Sequence, residues 1–78
     1  MKSLIEYIAR SLVDDPTQVS VYQRKQGPRT ELSLQVAKQD MGRVIGRHGR
    51  VANAMRALLN VAAAREDKRA HLNISDPH

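Results

Sequence analysis

Two short alternating segments on either side of a turn constrain the fold of this chain more than any other feature. Inward and outward residue types alternate over residues 19–24 and again over residues 31–36, and the sequence Gln-Gly-Pro-Arg at 26–29 lies between them. Such alternation predicts strands with one apolar face, and the turn predicts that the two strands pair as an antiparallel hairpin. The hairpin argues against an all-helical fold.

Apolar residues at helical spacing begin the chain. They predict a helix over about residues 3–13 that starts at a capping box formed by Ser3 and Glu6. Pro16 ends this helix, because proline disfavours helical backbone at the residue before it. A third alternating segment, residues 70–74, predicts a strand near the other end of the chain.

Two further helices are predicted between the hairpin and the last strand. The first covers about residues 41–45, has Asp40 as its N-cap and buries Val44 and Ile45. The second covers about residues 50–65. Its predicted buried face consists of Val51, Ala54, Met55, Leu58 and Ala62. The order α-β-β-α-α-β predicts an α+β fold, in which a three-stranded mixed sheet has its helices packed on one face.

The composition limits what such a fold can do. The chain has 78 residues and is predicted to form one domain over 1–78, with an ordered core over about 3–75. It has no Cys, which excludes disulfides, cysteine-based zinc sites and thiol nucleophiles. Its three histidines have no ligand-like spacing, and it carries no recognisable catalytic set or cofactor motif. We therefore expect no enzymatic activity, no metal, no cofactor and no small-molecule substrate.

The N-terminal segment gives an expectation about location. Its apolar residues are interrupted by Glu6 and Arg10, so the segment is predicted to be neither a signal peptide nor a membrane span. We expect a cytoplasmic protein without a membrane partner.

Positive charge is concentrated in the second half of the chain. The net charge is +5, and residues 41–65 contain five arginines and no acidic residue. A basic surface of this kind suggests a polyanionic partner. A solvated face that only keeps the protein in solution explains the charge equally well.

A glycine-rich loop, Gly46-Arg47-His48-Gly49, lies between the two later helices. A helix N-terminus presents unpaired amides and a partial positive charge, and both favour phosphate. Glycines let a sugar–phosphate backbone approach the peptide closely, Arg47 can bind a phosphate with two hydrogen bonds, and His48 can donate one. The spacing fits neither a Walker loop nor a dinucleotide-binding Gly-x-Gly-x-x-Gly. An ordinary turn between two helices is the simpler alternative.

These features together resemble the KH domain, and the order of elements resembles its type II, prokaryotic form. The resemblance rests on Asp-Met-Gly-Arg-Val-Ile-Gly-Arg-His-Gly-Arg at 40–50 and on the elements around it, and it covers essentially the whole chain. More narrowly, the chain resembles the small stand-alone bacterial RNA-binding KH proteins. KH domains bind single-stranded RNA, and their GXXG loop clamps about four nucleotides. One departure is Ala52, which stands where many KH domains have a larger aliphatic residue.

The resemblance implies a set of RNA-binding residues. They are Arg43, Val44, Ile45, Gly46, Arg47, His48, Gly49, Arg50, Val51 and Arg56. The loop and the amide end of the long helix would hold the RNA backbone. The apolar members of the set, with Leu34, would form the floor of a groove, and Arg43, Arg50 and Arg56 its rim. Backbone groups around Val36 would read base edges.

The resemblance also implies a function. It implies a bacterial, non-catalytic protein that binds single-stranded RNA and acts as an RNA chaperone or in post-transcriptional regulation. The alternative is a protein-interaction or dimerisation module with weak or vestigial nucleic-acid binding, and single-stranded DNA is a chemically close ligand. The scarcity of aromatic residues argues against RRM and OB-type modes, which stack bases on aromatic side chains.

The long helix carries a second feature of interest. Val61 points away from the predicted buried face, and Leu59 lies at its edge. An apolar residue on an outer face can be trivial, but it can also mark a contact between proteins. We expect a partner surface here. The resemblance implies two partners for it, a second copy of the chain or a larger protein with its own KH domain.

Overall fold

The computed structural model describes residues 1–76, and the predicted order of elements is confirmed. The elements are α1 (Lys2–Leu12), β1 (Ser20–Gln26), β2 (Arg29–Gln35), α2 (Met41–Ile45), α3 (Arg50–Arg65) and β3 (Arg69–Ser75). Single 3-10 turns cover Pro16–Gln18, Lys38–Asp40 and Arg47–Gly49. Residues 77 and 78, which the sequence placed beyond the ordered core, lie outside the described residues.

The three strands form one mixed sheet in the order β1-β2-β3. β1 and β2 are antiparallel, whereas β2 and β3 are parallel. This confirms the predicted fold class. The hairpin is longer than predicted, because pairing continues to Gln26 and Arg29 at the turn, beyond the point where apolar alternation ends. Gly27 reverses the chain with a φ of +60°, which glycine adopts without steric cost.

One hydrophobic core joins the sheet to all three helices. Its fully buried members include Ile5 from α1, Leu32 and Leu34 from β2, Val44 from α2 and Met55 from α3. In a strand, successive side chains point to opposite faces, so the buried residues of each strand mark one inner face. The helices cover that inner face. The other side chains of the strands lie on an outer face.

The start of α1 differs from the prediction. The helix begins at Lys2, and no side chain of the described residues caps it. The amide of Ile5 instead donates to the carbonyl of Met1, at 3.4 Å. Ser3 is therefore inside the first turn, where its helical backbone prevents it from acting as an N-cap, and the capping box with Glu6 is wrong. The predicted end of the helix before Pro16 is confirmed.

The bounds of α3 are confirmed, but its predicted buried face is wrong. The residues that the structure buries are Ala52, Met55, Leu59 and Ala63. Only Met55 is common to both sets, and Leu58 is 51% exposed. A helix turns by about 100° per residue, so two apolar stripes one residue apart share the same spacing. Alanines on several sides of α3 make the two stripes indistinguishable in the sequence, and the sheet selects the one with Ala52 and Ala63.

Within residues 1–76, no helix is both long and apolar enough to cross a bilayer.

Candidate nucleic-acid interface

The loop from Gly46 to Gly49 forms a tight turn between α2 and α3. The amide of Gly46 donates to the carbonyl of Gly42 at 2.9 Å, which closes α2. The amide of Gly49 donates to the carbonyl of Gly46 at 3.1 Å, which closes the loop itself. Arg47 and His48 between them are exposed. Both side chains project from the tip of the loop, as their place between two glycines predicted.

Gly46 is the position that makes this turn possible. Its φ and ψ are 76° and 171°, a region that is essentially restricted to glycine. A Cβ atom here would lie 2.5 Å from Cγ2 and 2.9 Å from the amide nitrogen of Val51. The loop therefore packs directly against the first turn of α3, and no side chain fits between them.

Gly49 has a different role. Its φ of +74° is left-handed, but a Cβ atom would meet only Nδ2 of Asn53, at 3.9 Å. This is an ordinary van der Waals distance, so Gly49 is not closely packed, and a ligand can approach the backbone where a side chain would otherwise project. His48 is also left-handed, with a φ of 57°, a conformation that histidine tolerates better than most residues.

The N-terminus of α3 opens onto the same side as Gly49. Gly49 is its N-cap, no side chain caps the helix within residues 1–76, and its first turn contains no acidic residue. The partial positive charge of a sixteen-residue helix is therefore not neutralised locally. Arg50, the first residue of the helix, is exposed. Together with the loop, these groups can bind an anion such as a phosphate.

Two of the predicted rim arginines are engaged elsewhere. Nη2 of Arg43 lies 3.1 Å from Oδ2 of Asp14, and its Nε lies 3.8 Å from Oδ1 of Asp40. Nε and Nη2 of Arg56 both lie 3.4 Å from the carbonyl oxygen of Leu72 in β3. Arg43 and Arg56 therefore connect α2 and α3 to other parts of the fold. The only rim arginine of the prediction without such a contact in the described chain is Arg50.

The predicted apolar floor is only partly exposed. Val44 and Leu34 are completely buried, so their assignment to the floor is wrong, and they support the surface from the core. Ile45, which was predicted to be buried, is 36% exposed, and Val51 is half-buried. Ile45 and Val51 therefore form a small apolar patch on either side of the loop. The sequence could not distinguish Ile45 from Val44, because both have aliphatic side chains in one short helix.

The backbone around Val36, which was predicted to read base edges, already makes a hydrogen bond within the sheet. The amide of Val36 donates to the carbonyl of Ser75 at 3.2 Å, which extends the pairing of β2 with β3. β2 is the central strand of the sheet. The resemblance implied that backbone groups around Val36 read base edges. The Val36 amide is already used in the sheet and is not available for this.

Asp40 is a buried residue next to the site, and its side-chain contacts were not predicted. It precedes α2 as expected, but its side chain does not cap that helix. The carboxylate is fully buried and accepts hydrogen bonds from the amides of Asp14 and Asp15, at 3.1 and 3.2 Å. It thereby joins the segment after α1 to the start of α2. Sequence reasoning missed this because the partners are 25 and 26 residues away in the chain.

Within the part of the chain that the structure describes, no group of three or more acidic or histidine side chains is placed to hold a metal ion. The arrangement of the site is that of a turn with exposed cationic side chains beside an uncapped helix. It is suited to binding an extended anion.

Comparisons with known proteins agree with this arrangement. The family model described as "KhpA/KhpB, KH domain" matches residues 2–74. The RNA-binding protein KhpA of Clostridium acetobutylicum is 46% identical over 74 residues, which cover 95% of this chain and 99% of that protein. The RNA-binding protein KhpA of Treponema pallidum is 45% identical over 75 residues, or 96% and 94% of the two chains. That of Halalkalibacterium halodurans is 42% identical over 76 residues, or 97% and 100%.

Proposed function

Because this chain belongs to the KhpA/KhpB family of KH domains, we propose that it binds single-stranded RNA with its GXXG loop and has no catalytic activity. The observation that carries the proposal is the packing of Gly46 on Val51. This packing holds Arg47, His48 and Gly49 on one exposed surface with the N-terminus of α3. The names of the relatives, which describe RNA-binding proteins, support RNA as the ligand.

The geometry suggests how the RNA lies. A phosphate sits at the N-terminus of α3, where Gly49 leaves the backbone accessible, and the guanidinium of Arg47 binds it from the tip of the loop. His48 donates a further hydrogen bond, and Arg50 binds a neighbouring phosphate. The apolar patch of Ile45 and Val51 then contacts the face of a base.

Such a site gives weak, salt-dependent binding. With about three phosphates neutralised, the logarithm of the association constant should fall with the logarithm of the salt concentration with a slope of about −2. Weak binding of a few nucleotides suits a cytoplasmic RNA chaperone or post-transcriptional regulator in which 1–78 acts as one KH domain. Binding of a phosphate by the loop does not itself require a 2′-hydroxyl, so single-stranded DNA remains a competing ligand.

Fluorescence anisotropy with a labelled single-stranded RNA of about five nucleotides tests the proposal. The wild-type chain should bind this RNA. A variant with Arg47→Asp and His48→Asp should bind about 100-fold more weakly, because it loses two donors and places two negative charges beside the phosphate.

We further propose that the outer side of α3 contacts a protein partner. Leu58 is 51% exposed and Val61 is 58% exposed, so both lie outside the buried face of α3. We define these two residues as the outer patch. Its position supports pairing with a second copy of the chain or with a larger KH-domain protein. The description of the family model, which joins KhpA with KhpB, supports the same idea. Should RNA binding prove absent, this interaction becomes the main function.

Sedimentation equilibrium tests the outer patch. If it joins two copies, the wild-type chain should show an average mass that rises with concentration, and Val61→Asp should remain a monomer. Burying an unpaired carboxylate in such an interface typically weakens association at least tenfold. Asn60→Asp is the matched control, since it adds the same charge to an exposed position one residue away. Self-association that Val61→Asp leaves unchanged would contradict the proposal for a homodimer.

A further inference from the structure

The outer face of the sheet is a second exposed surface, separate from the loop. All three helices share the core on the inner face, so within residues 1–76 no helix covers the outer side chains. The pairing register aligns these side chains in rows across the three strands. Tyr22 lies beside Ser33, which lies beside Asn73. The next row contains Arg24, Glu31 and His71, and the row at the turn ends with Arg29 and Arg69.

This surface is basic and has one aromatic side chain. We define the sheet face by the six residues Tyr22, Arg24, Arg29, Arg69, His71 and Asn73, all of which are exposed. Its one acidic neighbour among the paired outer positions, Glu31, is already bound by Arg29, with Nη2 and Oε1 3.2 Å apart. Arg24 and Arg69 form no ion pair within the described chain. The field of this face is therefore positive.

Tyr22 is unusual for its position. It is 59% exposed in the middle of an otherwise polar face, its neighbour across the strand pair is the small Ser33, and Asn73 follows Ser33 in the same row. A tyrosine ring that is open on one side can stack on a nucleic-acid base. The amide of Asn73, on the same row, can bond to a base edge, and the guanidinium groups on the next rows can bind phosphates.

We propose that the sheet face is a second RNA-contact surface, which binds the part of a longer single strand that extends past the GXXG loop. The nature of the occupant rests on the proposed function. The sheet face binds phosphates through Arg24 and Arg69 and one base through Tyr22. A single stacking ring binds a base weakly. The sheet face therefore adds to the RNA affinity of the loop and does not replace it.

Charge and composition favour RNA over a protein at this surface. The centres of protein interfaces are depleted in charged residues and rich in apolar ones. The sheet face has no aliphatic side chain, and three of its six residues are arginines. The outer patch on α3 has the opposite composition, since it consists of Leu58 and Val61. The two surfaces thus differ in the chemistry of the partner they fit.

Two RNAs and three variants test the proposal. The short RNA has about five nucleotides, little more than a GXXG loop holds, and the long RNA has about 16, the upper end of single-strand site sizes. The sheet-face variant is Tyr22→Ser, Arg24→Gln and Arg69→Gln. The matched control is Tyr7→Ser, Lys2→Gln and Arg10→Gln, which removes one tyrosine and the same amount of positive charge from α1. The loop variant is Arg47→Asp and His48→Asp. Circular dichroism verifies that each variant folds.

The expected result depends on RNA length. The sheet-face variant should bind the long RNA at least about fivefold more weakly than the control variant, with a salt slope smaller in magnitude by about 1.4 for the two lost phosphate contacts. Both variants should bind the short RNA equally. The loop variant should lose the short RNA. Retained affinity of the sheet-face variant for the long RNA would overturn the inference and leave the proposed function standing.

The same experiment distinguishes a failure of the proposed loop function from a failure of the sheet-face inference. If the loop variant binds both RNAs as well as wild type and the sheet-face variant loses the long one, the proposed function of the loop fails and the sheet face stands. If the sheet-face variant keeps its affinity for RNA but loses self-association in sedimentation equilibrium, the sheet face contacts protein and the inference is overturned.

Discussion

Alanine at Gly46 is expected to lower the affinity for short single-stranded RNA by at least about tenfold and to destabilise the fold by about 2–3 kcal/mol. The added Cβ would lie 2.5 Å from Cγ2 of Val51 and 2.9 Å from its amide nitrogen, so the loop has to move away from α3. The backbone of Gly46, with a φ of 76° and a ψ of 171°, adds strain for any other residue. Both effects separate Arg47 and His48 from the helix N-terminus.

Gly42→Ala is the matched control for this change. A Cβ atom at Gly42 would meet nothing within 4 Å, and the residue lies inside α2. Alanine there should be neutral or stabilise the fold by up to about 1 kcal/mol, because it favours the helix. Thermal denaturation measures the two stabilities, and anisotropy measures the affinity. If Gly46→Ala binds RNA as well as wild type does, the close packing of the loop on α3 is not needed for RNA binding.

Removal of the Asp40 carboxylate is the change expected to cost the most stability. Asp40→Ala leaves the amides of Asp14 and Asp15 without their acceptor and deprives Arg43 of a nearby charge. Hydrogen bonds to a charged group contribute about 1.5–3 kcal/mol each, and partial solvation of the freed amides recovers some of this. We expect a loss of about 3 kcal/mol, or a fall in melting temperature of about 15 °C for a domain of this size.

Asp14→Ala is the control for the Asp40 prediction. The Asp14 side chain is 70% exposed and makes an ion pair with Arg43, at 3.1 Å. Exposed ion pairs contribute little, and the variant retains the backbone amide that Asp40 binds, so we expect a change within about 0.5 kcal/mol. Urea denaturation of both variants measures the difference. Equal stabilities would mean that the buried carboxylate does not hold the segment after α1 against α2.

The elements that the sequence predicted best are those with a strong local pattern. The bounds of α3 followed from a run of good helix formers between Gly49 and the last strand, and the hairpin followed from alternation around Gly27. The face of α3 did not follow, because alanines and leucines occur on several sides of it. Burial there is decided by the sheet, which accepts the small Ala52 and Ala63 at close approach.

The candidate site was predictable where it is contiguous in sequence. The loop from Gly46 to Gly49 is visible as a spacing, and its two exposed side chains follow from their place between glycines. The partners of Arg43 and Arg56 are not visible in this way, because Asp14 and Leu72 become neighbours only through the fold. The number of arginines in this stretch therefore predicts more unpaired cationic side chains than the structure contains in the same residues.

The contrast between the two loop glycines also required coordinates. Both have positive φ, but a Cβ atom at Gly46 would clash with Val51, whereas one at Gly49 would make only an ordinary contact with Asn53. In the sequence they are equivalent members of one motif. In the structure the first permits the turn, and the second leaves room for a ligand.

The central claim, that the loop holds the RNA backbone, is tested most directly by anisotropy with the short single-stranded RNA. Wild type is compared with Arg47→Asp plus His48→Asp and with Lys2→Asp plus Ser3→Asp, a control that makes the same change in charge in the first turn of α1. We expect the loop variant to lose about 100-fold in affinity and the control to lose less than about threefold. Equal affinities of the loop variant and wild type, with both folded, would contradict the claim and place the RNA elsewhere on the protein.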